Sequence, residues 1–461
     1  MTAPSLIWFR QDLRLHDQPA LAAAAAEGPA IAVYILDDET PGRWKIGGAQ
    51  RWWLHHSLER LDESLRRLGS RLILRRGRAE TELARLAGET GAPRVHATRH
   101  YEPWWREAER RVGKAIELVL HPGSVLVPPE LVRTGAGTPY KIYTPYWRAL
   151  QDRLPPPEPA AAPKQLSAPG RWPHSDDLHS LGLLPTRPNW ATGFEDEWRP
   201  GEEAALDRLS DFAGRAGHYA GARDRPGEEG TSRFSPHLHF GELSPKRVWH
   251  SLPEEAGEKF RKELAWRDFS QNVMLTQPQV GEKAGRAAFA HFPWRTGPEA
   301  DSDFHAWSRG RTGYPIVDAG MRQLWATGWM HNRVRMIAAS FLVKHLLIDW
   351  RRGTEWFWDT LVDADYGNNS QNWQWIAGTG IDSQPFDRIM APIVQSAKFG
   401  AGDYIRRWVP ELGDLDDEHI HEPGDRRPAD YPQAIIGHRA ARERALAALS
   451  GFAGAARGEG A

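Results

Sequence analysis

AIAVYIL (Ala30–Leu36) is seven apolar residues without a polar interruption. A strand with one wet face alternates apolar and polar side chains. An unbroken apolar run of this length, carrying β-branched residues, instead predicts a strand covered on both faces, as in a parallel sheet. Outward from it lie SLIWF (Ser5–Phe9) on one side and RLILR (Arg71–Arg75), RVHAT (Arg94–Thr98) and IELVL (Ile116–Leu120) on the other. Ala-, Leu- and Arg-rich helical stretches such as GGAQRWWLHHSLERLDESLRRLG separate these runs. The rhythm predicts an α/β domain with a doubly wound parallel sheet over residues 1–130. No GxGxxG follows the first run and no GxxxxGK[ST] occurs, which argues against a nicotinamide-dinucleotide site or a P-loop.

Residues 131–200 are predicted to link two domains. QDRLPPPEPAAAPKQLSAPGRWPH, within this range, is too rich in proline to form a regular element. Residues 201–461 lose the strand signals. Helical patterns at Glu202–Ala213, Pro245–Leu252, Glu258–Leu275, Asp318–Trp350 and Tyr404–Glu411 predict an all-α domain with its site between helices.

Composition narrows the chemistry. The 461 residues carry a formal net charge of −1, so any nucleic-acid surface must be a local patch. The absence of cysteine excludes disulfides, thiolate metal sites, cysteine nucleophiles and iron–sulfur clusters. No apolar run reaches membrane-spanning length and the N-terminus lacks a secretory pattern, which predicts a cytoplasmic protein with no membrane partner. Twenty-two tryptophans are present, 12 of them after residue 200. Most belong in cores, but an indole also stacks on planar ligands and conducts electrons.

Four segments of the second half carry unusual chemistry. GHYAGARDRPGEEGTSRFSPHLHFGELSP (Gly217–Pro245) offers the hydroxyls of Thr231, Ser232 and Ser235 beside Arg233, a set that suits phosphate oxygens or, equally, a helix cap. His237 and His239 lack a carboxylate at metal-ligand spacing and read as structural, so no metal is expected. In ELAWRDF, Glu263, Trp266 and Arg267 share one helix face, as do Asn332, Arg335 and Met336 in TGWMHNRVRMIAASFLVKHLLIDW. DADYGNNSQNWQW (Asp363–Trp375) shows neither strand nor helix periodicity. It packs acids and amides against two indoles, as a buried polar ligand or a self-knit loop would require.

Together with IWFRQDLRLHD near the start and YIRRWVPEL near the end, these segments resemble the DNA photolyase/cryptochrome family over nearly the whole chain. The resemblance implies an antenna-carrying α/β domain and a helical domain holding FAD, reduced and anionic when active. Tyr219, Thr231, Ser232, Arg233, Phe234, Ser235, Phe260 and Arg267 match FAD-gripping positions. Arg335 and Asp363 match an ion pair beside the flavin ring, Asp365 an acid on FAD, and Asn369 the residue at flavin N5. Trp373, Trp350 and Trp294 match an electron relay. Trp266, Trp375, Glu263, Asn332 and Met336 match the pocket that receives a pyrimidine dimer from UV-damaged DNA. Arg223, Arg333, Lys398 and Arg406 are the DNA-phosphate candidates.

The implied activity of this monomer is light-dependent repair of cyclobutane pyrimidine dimers; the alternative is a cryptochrome-type photoreceptor without repair. The short C-terminal tail and Asn369 favour repair. The implied antenna is 5,10-methenyltetrahydrofolate, with a deazaflavin or an empty site as alternatives. Trp104 and Trp105 in HYEPWWREAERR depart from the best-known folate-contacting pair.

Overall fold

The computed structural model describes residues 3–254 and 257–458. Five strands, β1 (Ser5–Phe9), β2 (Ala30–Leu36), β3 (Leu72–Arg76), β4 (Arg94–Thr98) and β5 (Glu117–His121), form one sheet in the order β3-β2-β1-β4-β5. All four pairings are parallel, and the order reverses at β1, as in doubly wound folds. Every residue of β2 is buried. Helices α1 (Pro19–Glu27), α2 (Gly48–Arg67), α3 (Ala79–Thr90) and α4 (Pro103–Ala115) connect the strands. Gln18 caps the first of them and Gly91, at φ 72°, ends the third in the left-handed conformation. Leu6, Trp8, Ile31, Val33, Ile73, Leu83, Leu86, Val95 and Val112 make up much of the sheet's core.

Two strand expectations need correction. β3 and β5 each lie one residue later than the apolar runs suggest, and β5 is only half-buried. It is an edge strand with one hydrogen-bonded neighbour, so an apolar run did not guarantee burial on both faces.

Contacts divide the chain into two compact units. One holds residues 1–217, 232–278 and 362–365; the other holds 218–231, 279–361 and 366–461. The sheet, a helix α5 (Tyr143–Gln151) and a long helix α6 (Gly257–Met274) belong to the first. α5 falls inside the stretch expected to be linker; its buried Tyr143, Tyr146, Trp147 and Leu150 recur at helical spacing. The proline-rich residues that follow form no regular element before 179.

The second unit is helical. The single pattern Asp318–Trp350 resolves into α7 (Pro315–Thr327), α8 (Asn332–Ser340) and a π-turn at Phe341–His345, and α9 (Trp350–Thr360) begins at its end. Gly328, at φ 68°, closes α7. His331 restarts the chain as the cap of α8, and Asp349 caps α9 by accepting the amide of Arg351 at 3.0 Å. Conversely, most of Asp363–Trp375, which shows no helix period, lies in helix α10 (Tyr366–Ala377). Among the described residues no helix is long and apolar enough to cross a membrane.

Candidate functional site

In the first unit, α6 carries Phe260, Glu263, Trp266 and Arg267. The Arg267 guanidinium donates to the carbonyls of Ser124 (2.6 Å) and Leu238 (3.3 Å), fixing α6 against the segment after β5. Its neighbour Asp268 is fully buried and accepts the amides of Leu126 (2.8 Å) and Val127 (3.3 Å). Burial pushes this carboxyl up to about 7, against the pull of Arg267 and those amides. Phe260 and Phe234 are buried against Phe212, with centroids 5.1 and 5.2 Å from it. Arg233 adopts φ 55°, lies 4.2 Å over Trp198 and pairs with Glu197 at 2.5 Å. Ser232 and Arg233 are half-buried and Ser235 is exposed.

Asp363 and Asp365 belong to the same unit and are 8% exposed. Asp365 accepts from Gln271 at 3.3 Å. His239 is neutral near them because burial lowers it to about 4, and its Nε2 meets Gln50 at 3.0 Å. His237 is taken by Glu242 at 2.5 Å. Glu102 is raised by burial first and by Asp365 second. Three buried acids gathered this way suit a ligand with several N–H donors.

In the second unit, α10 presents Asn369, Trp373 and Trp375. The Asn369 amide donates to the Thr354 carbonyl at 3.0 Å, which leaves its oxygen as the acceptor to offer elsewhere. Trp373 is 2% exposed, set edge-on to Trp307 (6.1 Å) and Phe357 (5.0 Å). α9 approaches so closely that a Cβ at Gly353 would sit 2.2 Å from the Trp373 ring. Trp350 is fully buried at the start of α9, under Arg351 at 4.8 Å. Trp294 is half-buried in an apolar nest with Phe292, Leu347, Phe386 and Ala445. Trp375 is half-buried.

Not every amide of this stretch awaits a ligand. Gln374 donates to the carbonyls of Val280 (2.6 Å) and Lys283 (2.9 Å) and accepts from the amide of Gly285 (2.8 Å). It ties down a neighbouring loop at residues 280–285.

α8 places Asn332 exposed and Arg335 and Met336 half-buried on one face; Arg335 donates to the Met330 carbonyl at 2.7 Å. Tyr219 is buried with Arg223 over its ring at 5.2 Å, and Thr231 is half-buried after Gly230. A Cβ at Gly230 would meet the Ala222 carbonyl at 2.4 Å, so the turn requires glycine. Of the phosphate candidates, Arg333 pairs with Asp224 at 2.8 Å and Arg406 with both Asp403 (2.9 Å) and Asp417 (2.6 Å). Lys398 is exposed.

Two cavities lie in the α/β unit. One, of about 600 Å³, is lined by Arg99, Tyr101, Arg106, Arg110 and Glu130. Trp104 is buried, and Trp105 meets Trp8 edge-on at 6.1 Å with Arg10 over both rings, so neither indole lines it. The other, of about 630 Å³, is lined by Trp52, His56, Arg60, Arg67, Trp198 and Arg199, with carboxylates between the cations. RWWLHHSL supplies part of its wall.

Family models match residues 5–164 as DNA photolyase and residues 260–451 as the FAD binding domain of DNA photolyase. The deoxyribodipyrimidine photo-lyase of Agrobacterium fabrum is 48% identical over 97% of this chain and 98% of its own. Cryptochrome-1 of Arabidopsis thaliana is 35% identical over 97% of this chain and 70% of its own. The crystal structure of a bacterial class III photolyase from Agrobacterium tumefaciens superposes with a TM-score of 0.92 at 47% identity, covering 98% of each chain. The chain therefore belongs to the DNA photolyase/cryptochrome family.

Proposed function

We propose that this protein is a deoxyribodipyrimidine photolyase that binds FAD and splits cyclobutane pyrimidine dimers in UV-damaged DNA under light. The observation that carries the reading is the pair of neighbouring carboxylates Asp363 and Asp365, both 8% exposed. Buried carboxylates are acceptors suited to the ring N–H of a flavin, and in the other unit Asn369, whose amide nitrogen donates to the Thr354 carbonyl, keeps an oxygen that can accept. Tyr219, Thr231, Ser232 and Ser235 are assigned to the rest of the cofactor. When bound and reduced, FAD supplies on excitation the electron that breaks the cyclobutane bonds. Asn369 would offer a neutral oxygen to the ring, and Arg335 would offset the reduced ring's negative charge. Trp373, Trp350 and Trp294 are the relay that brings electrons to the oxidised cofactor. Trp373 and Trp350 are buried and Trp294 is half-buried, an order from interior to surface that suits such a relay.

Turning the lesion out of the duplex costs a few kcal/mol, least for a damaged step; photolyases are the principle's own example. Trp266 and Trp375 return roughly 1–3 kcal/mol per stacked base. Glu263 is assigned to hydrogen-bond the pyrimidine edge, and Asn332 and Met336 are assigned to the lesion on the family resemblance. Arg223, Arg333 and Lys398 are assigned to phosphates, with Arg406 ranked last because two acids already hold it. The antenna is assigned as methenyltetrahydrofolate in the Trp52–Trp198 cavity. The indoles of Trp52 and Trp198 suit a pterin there. Extraction of the native chromophore yields a pterin on this reading; its absence from fully loaded protein would remove the assignment. The enzyme acts as a cytoplasmic monomer.

Binding in darkness tests the pocket. A thymine-dimer duplex is expected to bind at least tenfold more tightly than its undamaged counterpart, and Trp266→Ala to erase most of that ratio. Equal affinity for both duplexes would favour a cryptochrome-type photoreceptor.

A further inference from the structure

Trp266 is backed by a second ring. Tyr143, the first residue of α5, lies flat against it with centroids 3.5 Å apart and planes within 7°. A face-to-face sandwich is not the arrangement two rings prefer, so the surroundings must hold it. They do so at three points. The Tyr143 hydroxyl donates to the Lys262 carbonyl of α6 at 3.0 Å. Phe269, one turn beyond Trp266, meets both rings edge-on at 5.7 Å. Tyr146 and Trp147, buried on the same face of α5, anchor that helix, with Tyr146 5.3 Å from Phe269.

Tyr143 itself is 8% exposed, whereas Lys141 and Ile142 just before it are exposed. α5 therefore begins at an open surface. The phenol also lies in the field of Glu263, which, after burial, helps to raise its pKa.

An indole with one face sealed has one face left for a base. Its rotamer is set before the base arrives, so less side-chain freedom is lost on binding. We propose that Tyr143 is a positioning residue for lesion recognition, holding Trp266 as a one-sided platform beside Glu263. The inference rests on the assignment of Trp266 to the lesion pocket given above. It adds a residue from a region the sequence presents as linker.

The test uses the FAD-loaded full chain with thymine-dimer and undamaged duplexes in darkness, followed by repair kinetics at saturating light. Tyr143→Phe keeps the ring and loses the bond to Lys262. Tyr143→Leu and Tyr143→Met lose the ring and keep an apolar side chain, so either carries the test if the other does not fold. The aliphatic variants are expected to weaken dimer binding about tenfold and raise KM in proportion. Binding to undamaged duplex, photoreduction of FAD and turnover at saturation stay within about twofold. Tyr143→Phe, which keeps the ring, stays within about threefold of the parent throughout; the selective loss of dimer affinity in the aliphatic variants, with photoreduction and turnover preserved, is what a merely structural role would not produce. Unchanged dimer affinity in both aliphatic variants, alongside a weakened Trp266→Ala, overturns the inference alone. So does Tyr143→Phe losing as much as they do. Unchanged dimer affinity in Trp266→Ala overturns the pocket assignment and the inference together.

Discussion

Gly353→Ala is the sharpest structural perturbation available beside the relay. Gly353 lies within α9, where alanine is ordinarily the better residue by about 1 kcal/mol. Here an added Cβ would stand 2.2, 2.5 and 2.7 Å from three carbons of the Trp373 ring. Carbon pairs settle at about 3.5–4.0 Å, so one partner has to move by roughly 1 Å or more. The indole has little room, since it is buried between Trp307 and Phe357. Overpacking of this kind costs about 1–3 kcal/mol. Taking the upper end and subtracting the helix gain leaves a net loss of about 2 kcal/mol. For a domain of roughly 150–250 residues that lowers Tm by about 4–8 °C. Calorimetry of the FAD-loaded protein reads the shift, and photoreduction of oxidised FAD slows with it because Trp373 is displaced. A Gly353→Ala protein that melts at or above the parent temperature would refute the close helix approach.

Other expectations are independent of that one. Trp373→Phe blocks photoreduction of oxidised FAD and leaves repair by chemically reduced enzyme within about twofold; normal photoreduction would remove Trp373 from the relay. Lys344 is fully buried and donates to the Arg388 carbonyl at 2.8 Å, and burial lowers it from 10.5 to about 7, with Asp387 opposing. Between those values the unfolded chain holds the extra proton. The group's contribution to stability is therefore complete above about pH 10.5 and lost as pH falls through 7. Lys344→Met, compared with the parent by urea melts, gains relative stability as pH falls across that window; a constant difference would contradict the shift. Lys398→Gln lowers the salt slope of DNA binding by about one unit, whereas Arg406→Gln, already neutralised by two aspartates, leaves it unchanged. The reverse pattern would exchange the two assignments.

β1, β2 and β4 were legible to the residue because their apolar runs have a clear beginning and end. β3 and β5 slipped by one, since a polar residue at a strand end, Arg76 in one and His121 in the other, takes part in the ladder without marking it. The helix break at Gly328 was also written in the sequence, but a long apolar periodicity on either side masked it. α10 was not legible: its register is set by Asn369, Trp373 and Gln374 meeting other segments, and periodicity does not register amides. The site residues were found through long motifs. The sequence could not show that Phe234 and Phe260 pack into core, or that Arg233 and Arg406 meet acids. Nor could it show Tyr143 lying on Trp266, 123 positions further along the chain. Those facts depend on contacts between distant residues that leave no local pattern.

The most direct test is repair of a thymine-dimer oligonucleotide by enzyme carrying reduced FAD, under near-UV or blue light and in darkness. Loss of the dimer in the light alone, with intact thymines restored, is the predicted result. Persistence of the dimer in both conditions, with reduced FAD verified in the protein, would contradict the repair function and leave a photoreceptor in its place.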